Sequence, residues 1–248
     1  MQPYDRKFFE ALQQDSRQSA QEIVPLIHQL LHPCSVIDIG CGLGDWLAVF
    51  REHGVTDILG VDGDYVDRAS LCIPQETFLP FDLRQPFRLP RQFDLVVSLE
   101  VAEHLPPECA AIFVDSLTFL GPVVLFSAAI PFQGGTQHLN EQWPEYWAGH
   151  FQKRGYLAVD CIRRKVWQNP NVAWWFSQNS FLYAKQEYIE NQIDLKREMN
   201  YNDGAPLPLV HPRKYLDVAD PEKLSFRGIL SLLPRVAVNA AKRRIGVK

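Results

Sequence analysis

Hydrophobic positions along this chain fall into two alternating rhythms. Short, nearly unbroken apolar runs begin at Val36 and recur at Asp57 to Val61, Phe78 to Phe81, Phe93 to Leu99 and Val123 to Ser127. Runs of that length, bounded by turn residues, predict strands. Residues 93–99 read FDLVVSL, apolar at almost every position, as a parallel strand covered on both faces requires. Between the runs, Leu43 to His53 and Cys109 to Phe119 carry apolar residues at helical spacing, the second entered through Pro106 and Pro107. Strand and helix alternating in this way predict right-handed βαβ units and a doubly wound α/β sheet, whose ligands lie beyond the carboxyl ends of its strands.

The flanks have a different pattern. Residues 1–34 place Phe8, Leu12, Ile23, Ile27, Leu30 and Leu31 among Gln, Glu and Arg, which predicts one or two helices forming an N-terminal cap over the sheet. After the fifth strand, Glu141 to Arg154 is helical in pattern. Tyr156 to Ile162 and Phe181 to Lys185 are strand-like and bracket an insertion, 163–180, rich in Trp and Asn. These two late strands predict an antiparallel hairpin completing a mostly parallel, seven-stranded sheet, in a domain running from 35 to 201. From Asn202 to Pro212 the chain is Pro-rich and reads as an arm. Asp220 to Lys248 is helical in pattern, broken at Pro234 and basic at its end, and is expected to dock on its own domain rather than on a membrane.

Composition narrows the class of ligand. With 248 residues, 46% of them hydrophobic, the chain can bury the core of one α/β domain with additions. A formal net charge of −4 without a long basic run argues against a nucleic-acid footprint and for a small-molecule substrate. The five cysteines are odd in number and scattered, with no C-x-x-C pair, which fits reduced thiols in the cytoplasm. The longest apolar run, near Pro122 to Phe132, is too short for a membrane span, and no secretory leader is expected. A homodimer is left open.

The chemistry concentrates where the first strand turns into the first core helix. Residues 36–47 read VIDIGCGLGDWL, with Gly40, Gly42 and Gly44 at alternate positions. Glycines there allow positive φ and let a ligand approach bare main chain. A dinucleotide fingerprint needs its third glycine where Asp45 stands, and no Gly-Lys-Ser/Thr follows for a Walker loop, so phosphate binding of either kind is disfavoured. Asp62 closes the second strand 22 positions after Gly40, where a carboxylate accepts hydrogen bonds from both ribose hydroxyls. Capping the next helix is the plainer role for it.

The turn, with Asp38 two residues before its first glycine, resembles the first motif of class I S-adenosylmethionine-dependent methyltransferases. LGVDGDY, LPFDLRQPF and FDLVVSLEVAEHLPP then resemble that family's later motifs in the right order. The resemblance spans about Ser35 to Lys185 and implies a Rossmann-like methyltransferase fold with S-adenosylmethionine as cofactor and S-adenosylhomocysteine as product. It implies a cofactor site of Asp38, Gly40, Cys41, Gly42, Gly44, Asp62 and Gly63, with Asp82 on the adenine amino group between Phe81 and Leu83. Leu99, Glu100 and Val101 would line the channel for methionine and the donor methyl. A surface turn is the plainer role for Asp82.

Methyl transfer from a sulfonium depends mainly on holding the nucleophile close and collinear, with a base needed when the nucleophile is a hydroxyl. His138, after Gly134 and Gly135, is the candidate base, and His104 the second catalytic candidate. A hydrogen-bonded, loop-fixing role stays open for both. HLNEQWPEYW and VWQNPNVAWWFSQN resemble, more loosely, bacterial methyltransferases of sugar, glycan and natural-product assembly. On that likeness Asn140, Trp143, Trp147, Trp167 and Trp174 join His138 as acceptor contacts. The expected reaction is O-methylation of a sugar or glycan-like metabolite. N- or C-methylation of a natural-product intermediate, or a non-catalytic binding subunit, is the alternative. No metal is expected, since the sequence shows no compact carboxylate cluster.

Overall fold

Alternation of side chains along the strands sets two apolar faces, and both are covered. The computed structural model describes residues 6–200, 208–219, 230, 233 and 234. Its strands are β1 (Ser35–Ile39), β2 (Asp57–Asp62), β3 (Phe78–Pro80), β4 (Leu95–Leu99), β5 (Val123–Ser127), β6 (Tyr156–Val159) and β7 (Phe181–Lys185). They form one sheet in the order β3-β2-β1-β4-β5-β7-β6. The first five strands pair in parallel, and β7 enters antiparallel between β5 and β6. This is the Rossmann-like methyltransferase architecture expected from the sequence.

Val36, Leu95, Val97, Val123, Leu125 and Leu182 point to one face. Ile37, Ile39, Val96, Val124, Phe126 and Tyr183 point to the other. The first face is covered by helix α1 (Arg6–Leu31), through Ile23, Val24 and Ile27, and by α2 (Asp45–Glu52), through Leu47 and Phe50. α1 is a single helix that runs through Pro25, and it packs on α2. The second face is covered by α3 (Ala110–Leu120), through Phe113 and Leu117, and by α4 (Pro144–Gln152), through Trp147 and Phe151. Phe151 stacks on Tyr183 at 3.9 Å between ring centroids.

Local chemistry explains where elements stop. α2 starts at Asp45 rather than Leu43 because Gly40, Gly42 and Gly44 all hold positive φ, outside helical geometry. β6 ends at Val159, where Asp160 turns the chain and accepts a hydrogen bond from Arg163 in α5 (Arg163–Val166). The Arg163 guanidinium is buried 4.1 Å over the Phe181 ring. The insertion continues through α6 (Trp174–Asn179) into β7, and α7 (Gln186–Glu190) and α8 (Ile193–Asn200) follow it.

The chain divides into two compact units, 1–209 and 210–248. In the second, α9 (Pro212–Ala219) is amphipathic. The predicted helical pattern from 220 to 248 falls almost entirely outside the described residues, as do most of the Pro-rich arm and the side chains of Phe8 and Leu12. Among the described residues no helix is long and apolar enough to cross a membrane.

The hydroxyl of Tyr156 on edge strand β6 donates to the carbonyl oxygens of Thr118 and Gly121, 2.8 and 2.6 Å away, and so ties the edge to the end of α3. Tyr156→Phe leaves those buried carbonyls without this donor. We expect it to cost about 1–3 kcal/mol, read as a lower denaturant midpoint at unchanged slope.

Candidate active site

The carboxyl ends of β1, β2, β4 and β5 gather a turn, a ring of acids and a loop. The turn is held by Gly40 N donating to Val61 O at 2.7 Å and Gly44 N to Cys41 O at 2.8 Å. A Cβ on Gly40 would lie 2.3 Å from Val101 Cγ2, so the β1 turn and the segment after β4 touch directly. One on Gly44 would lie 2.9 Å from Ile73. Gly42 differs, since nothing lies within 4 Å of its Cβ position. The bare face of the turn is therefore at Gly42, while Gly40 and Gly44 are glycines for packing as well as for φ.

Asp62 stands as expected at the end of β2. One carboxylate oxygen accepts from Gly42 N at 2.7 Å, and the other accepts from Gly63 N at 2.6 Å and from the Tyr65 hydroxyl. The exposed Tyr65 thus offers Asp62 a hydroxyl of the kind a ribose would bring. Asp38 is buried, with Asp45 and Asp62 as neighbouring acids. Burial holds its carboxyl well above the ordinary carboxylate range, and the charges of Asp62 and Asp45 push the same way. Asp45, read in the sequence only as a missing glycine, is a buried acid of this site. The Cys41 thiol is buried and raised, which makes it a wall rather than a nucleophile.

Asp82 sits on the surface, both carboxylate oxygens accepting from Arg84 at 2.8 Å, and this hydrogen bonding holds it below the usual carboxylate range. Beside it Phe81 N donates to Asp62 O, and its ring packs 4.8 Å from Phe87.

After β4 the chain makes a polar cluster that the sequence reading covered only in part. Glu100 holds the left-handed φ of 55°, rare for a residue with a side chain. Its amide donates to Ser127 Oγ at 3.0 Å, and its carboxylate accepts from Asn179 Nδ2 at 3.0 Å and Gln133 Nε2 at 2.9 Å. Gln178 also donates to Gln133. Glu103, on the next turn, is fully buried. Its carbonyl accepts from the amides of Leu139 and Asn140 at 2.7 and 2.9 Å, which pins the loop after β5 against the loop after β4.

That contact brings His138 and His104 together, their rings meeting edge to face at 4.8 Å. Glu141 organises the same loop, accepting from the amides of Phe132 and Gly134 and from His138 Nδ1 at 3.0 Å. Burial and the nearby His138 hold the His104 imidazole below its ordinary value.

The aromatic candidates scatter. Trp147, read as an acceptor contact, is instead buried in the second face 5.3 Å from Phe126. Trp143, the extended residue just before α4, is exposed. Trp167 and Trp174 are half-buried in the insertion. Asn169 and Asn171 there bond Glu22 of α1, so they fasten the insertion to the cap. Gln133 was missed as a site residue because its partners Glu100 and Asn179 lie 33 and 46 positions away, and Glu141, three positions from His138, because it read only as the start of a helix.

A family model described as a methyltransferase domain matches residues 8–181 of this chain. The chain belongs to that family. It is a class I S-adenosylmethionine-dependent methyltransferase, and S-adenosylmethionine is its cofactor. No curated protein sequence matches it. Among solved structures, this methyltransferase shares its fold with Streptomyces venezuelae DesVI, at 17% identity and a TM-score of 0.52, over 72% of this chain and 95% of that one. An O-methyltransferase family protein of Burkholderia thailandensis gives 14% and 0.52, over 73% of this chain but only 60% of the longer relative. A SAM-dependent methyltransferase of Archaeoglobus fulgidus gives 21% and 0.50, over 61% and 75%.

The buried acids lead to a pH-dependent test. Because its folded pKa is raised, Asp38 contributes stability that is whole below its unfolded value, about 3.9, and is lost as pH rises through the folded value. Asp38→Asn carries no such penalty. Without cofactor it is expected to melt higher than the parent at pH 7, the two converging near pH 4. If its carboxylate serves the cofactor's cationic groups as the resemblance implies, the variant is expected to bind S-adenosylmethionine about 10- to 100-fold more weakly. Thermal melts from pH 4 to 8 and calorimetry check the two halves.

Proposed function

We propose that this enzyme methylates a hydroxyl of a small acceptor, a sugar or glycan-like metabolite, with His138 receiving the hydroxyl proton. The pairing of His138 Nδ1 with the Glu141 carboxylate carries this reading. An imidazole oriented by a carboxylate presents its other nitrogen to the acceptor in a fixed tautomer, the arrangement by which a general base is activated. A sulfonium is already an excellent leaving group, so what remains is to place the oxygen in line, dry the cleft and take the proton.

Further support comes from the loop that carries His138. Phe132, Leu139 and Trp143 are exposed on and beside it, and such faces pack against sugar rings. Glu100, Gln133 and Asn179 form a fixed polar wall between this loop and the turn that takes the cofactor. Asn140 belongs to the acceptor side, with Trp167 and Trp174 as outer contacts. The Burkholderia protein, named as an O-methyltransferase family member, has a fold that accommodates this chemistry.

His138→Ala is expected to keep S-adenosylmethionine affinity within about 2-fold while losing about 100-fold or more in turnover. A mass-spectrometric screen of hydroxylated sugars and glycosides for gain of one methyl group supplies the acceptor. Unchanged turnover in the variant would remove His138 from the reaction, and methyl gain confined to amines would overturn the O-methyl reading.

A further inference from the structure

Glu103, His104 and His138 each place a ligand atom within 4.8 Å of the others, and among the described residues no other group of this kind occurs. Metal bonds of about 2.1 Å set donor atoms roughly 3 to 4.3 Å apart, so closing on an ion needs movements of only a few tenths of an ångström. The second observation is independent of that spacing. Both carboxylate oxygens of Glu103 are fully buried and have no hydrogen-bond partner. Three residues earlier, Glu100 shows how the same pocket satisfies a buried carboxylate, with an amide donor on each oxygen. No side-chain amide reaches Glu103 in this way, and neither of its oxygens has a hydrogen bond of ordinary geometry.

We propose that Glu103, His104 and His138 bind a divalent first-row transition ion at the acceptor end of the cleft. Two imidazoles beside a carboxylate, with no cysteine in the group, favour a first-row ion that takes nitrogen, such as Fe²⁺ or Zn²⁺, over Ca²⁺ or Mg²⁺, and Mn²⁺ is the paramagnetic probe for such a site. Supporting contacts are already in place. Glu141 holds His138 through Nδ1, leaving Nε2 as the nitrogen for the ion, and a carboxylate behind a ligand histidine fixes its ring and raises its basicity. Nε2 comes so near Gly135 that a Cβ there would lie 2.2 Å from it, so the residue beside the ligand has to be small. The Glu103 carbonyl, by accepting from Leu139 and Asn140, fixes the distance between the two loops that supply the ligands.

Three protein ligands leave positions for an acceptor oxygen. This use rests on the O-methyl reading: a coordinated hydroxyl is more acidic and gives its proton to solvent water as its oxygen takes the methyl and the sulfonium leaves as the neutral thioether, so His138 would act on it through the ion instead of taking the proton itself. The binding itself does not depend on that reading, and it replaces the expectation from sequence that no metal is involved.

The test is an electron paramagnetic resonance titration of chelator-stripped full-length protein with Mn²⁺. One Mn²⁺ per chain is expected, bound at least 10-fold more weakly by Glu103→Gln and by His104→Asn, and unaffected by Asp194→Asn on the exposed face of α8. Of the three residues His104 is the most accessible to solvent, so its variant reports on binding even if Glu103→Gln misfolds. Equal Mn²⁺ affinity in the parent and in both ligand variants, or no site in the parent, would sink the proposal. O-methylation that survives chelation in a protein without the site overturns the ion and leaves His138 as base. A Mn²⁺ site in an enzyme that methylates no hydroxyl overturns the acceptor reading and leaves the ion standing.

Discussion

A carboxylate taken out of water has to be given a positive partner, hydrogen-bond donors or a proton, and this enzyme buries several along one edge of its sheet. Asp38 and Asp62 lie at the ends of β1 and β2, and Glu100 and Glu103 follow β4. The interior supplies donors to two of the four: main-chain amides reach Asp62, and side-chain amides reach Glu100. The other two are left to be matched from outside the fold. At Asp38 the proposed match is the cofactor, which carries a sulfonium and an ammonium group. At Glu103 it is the proposed ion. The same constraint explains why apolar covering is so complete elsewhere, since the sheet must supply enough stability to tolerate charges held without partners.

The sheet divides its work by register. β1, β2 and β3 present short-range features, a turn of glycines and one acid per strand end, and these are the parts a sequence can reveal. Gly40, Gly42, Gly44, Asp38 and Asp62 were legible because each is fixed by its own strand and the next few residues. The seven strands were legible for the same reason, since a run such as FDLVVSL has few other ways to be buried. On the acceptor side the determinants are long-range. Asn179 reaches Glu100 from 79 positions away, and Gln178 reaches Gln133 from 45. No local pattern announces a contact of that kind.

Aromatic content misled in a related way. The tryptophans of the last third crowd together in sequence and read as a mixture of core and acceptor contacts, and the sequence could not say which ring was which. Trp147 is core, while Trp143, the extended residue that precedes α4, is exposed. Asn169 and Asn171 serve the cap through Glu22 rather than the cleft. The buried face of α4 could be assigned only once Phe126 and Tyr183 were known to lie opposite it.

Glu141 is where the acceptor loop acquires its shape. Two main-chain amides, of Phe132 and Gly134, and one ring nitrogen, of His138, converge on its two oxygens. The loop also contains positive φ at Phe132 and Gln137, a cost of about 1–3 kcal/mol each unless surrounding contacts impose it. A loop held this way keeps His138 in one orientation without burying it, and leaves Phe132 exposed for an acceptor to cover. Specificity can then change through the exposed residues of the loop while the histidine, its carboxylate and the pinned Glu103 carbonyl stay in place. That separation lets one cofactor site serve different acceptors on the same sheet.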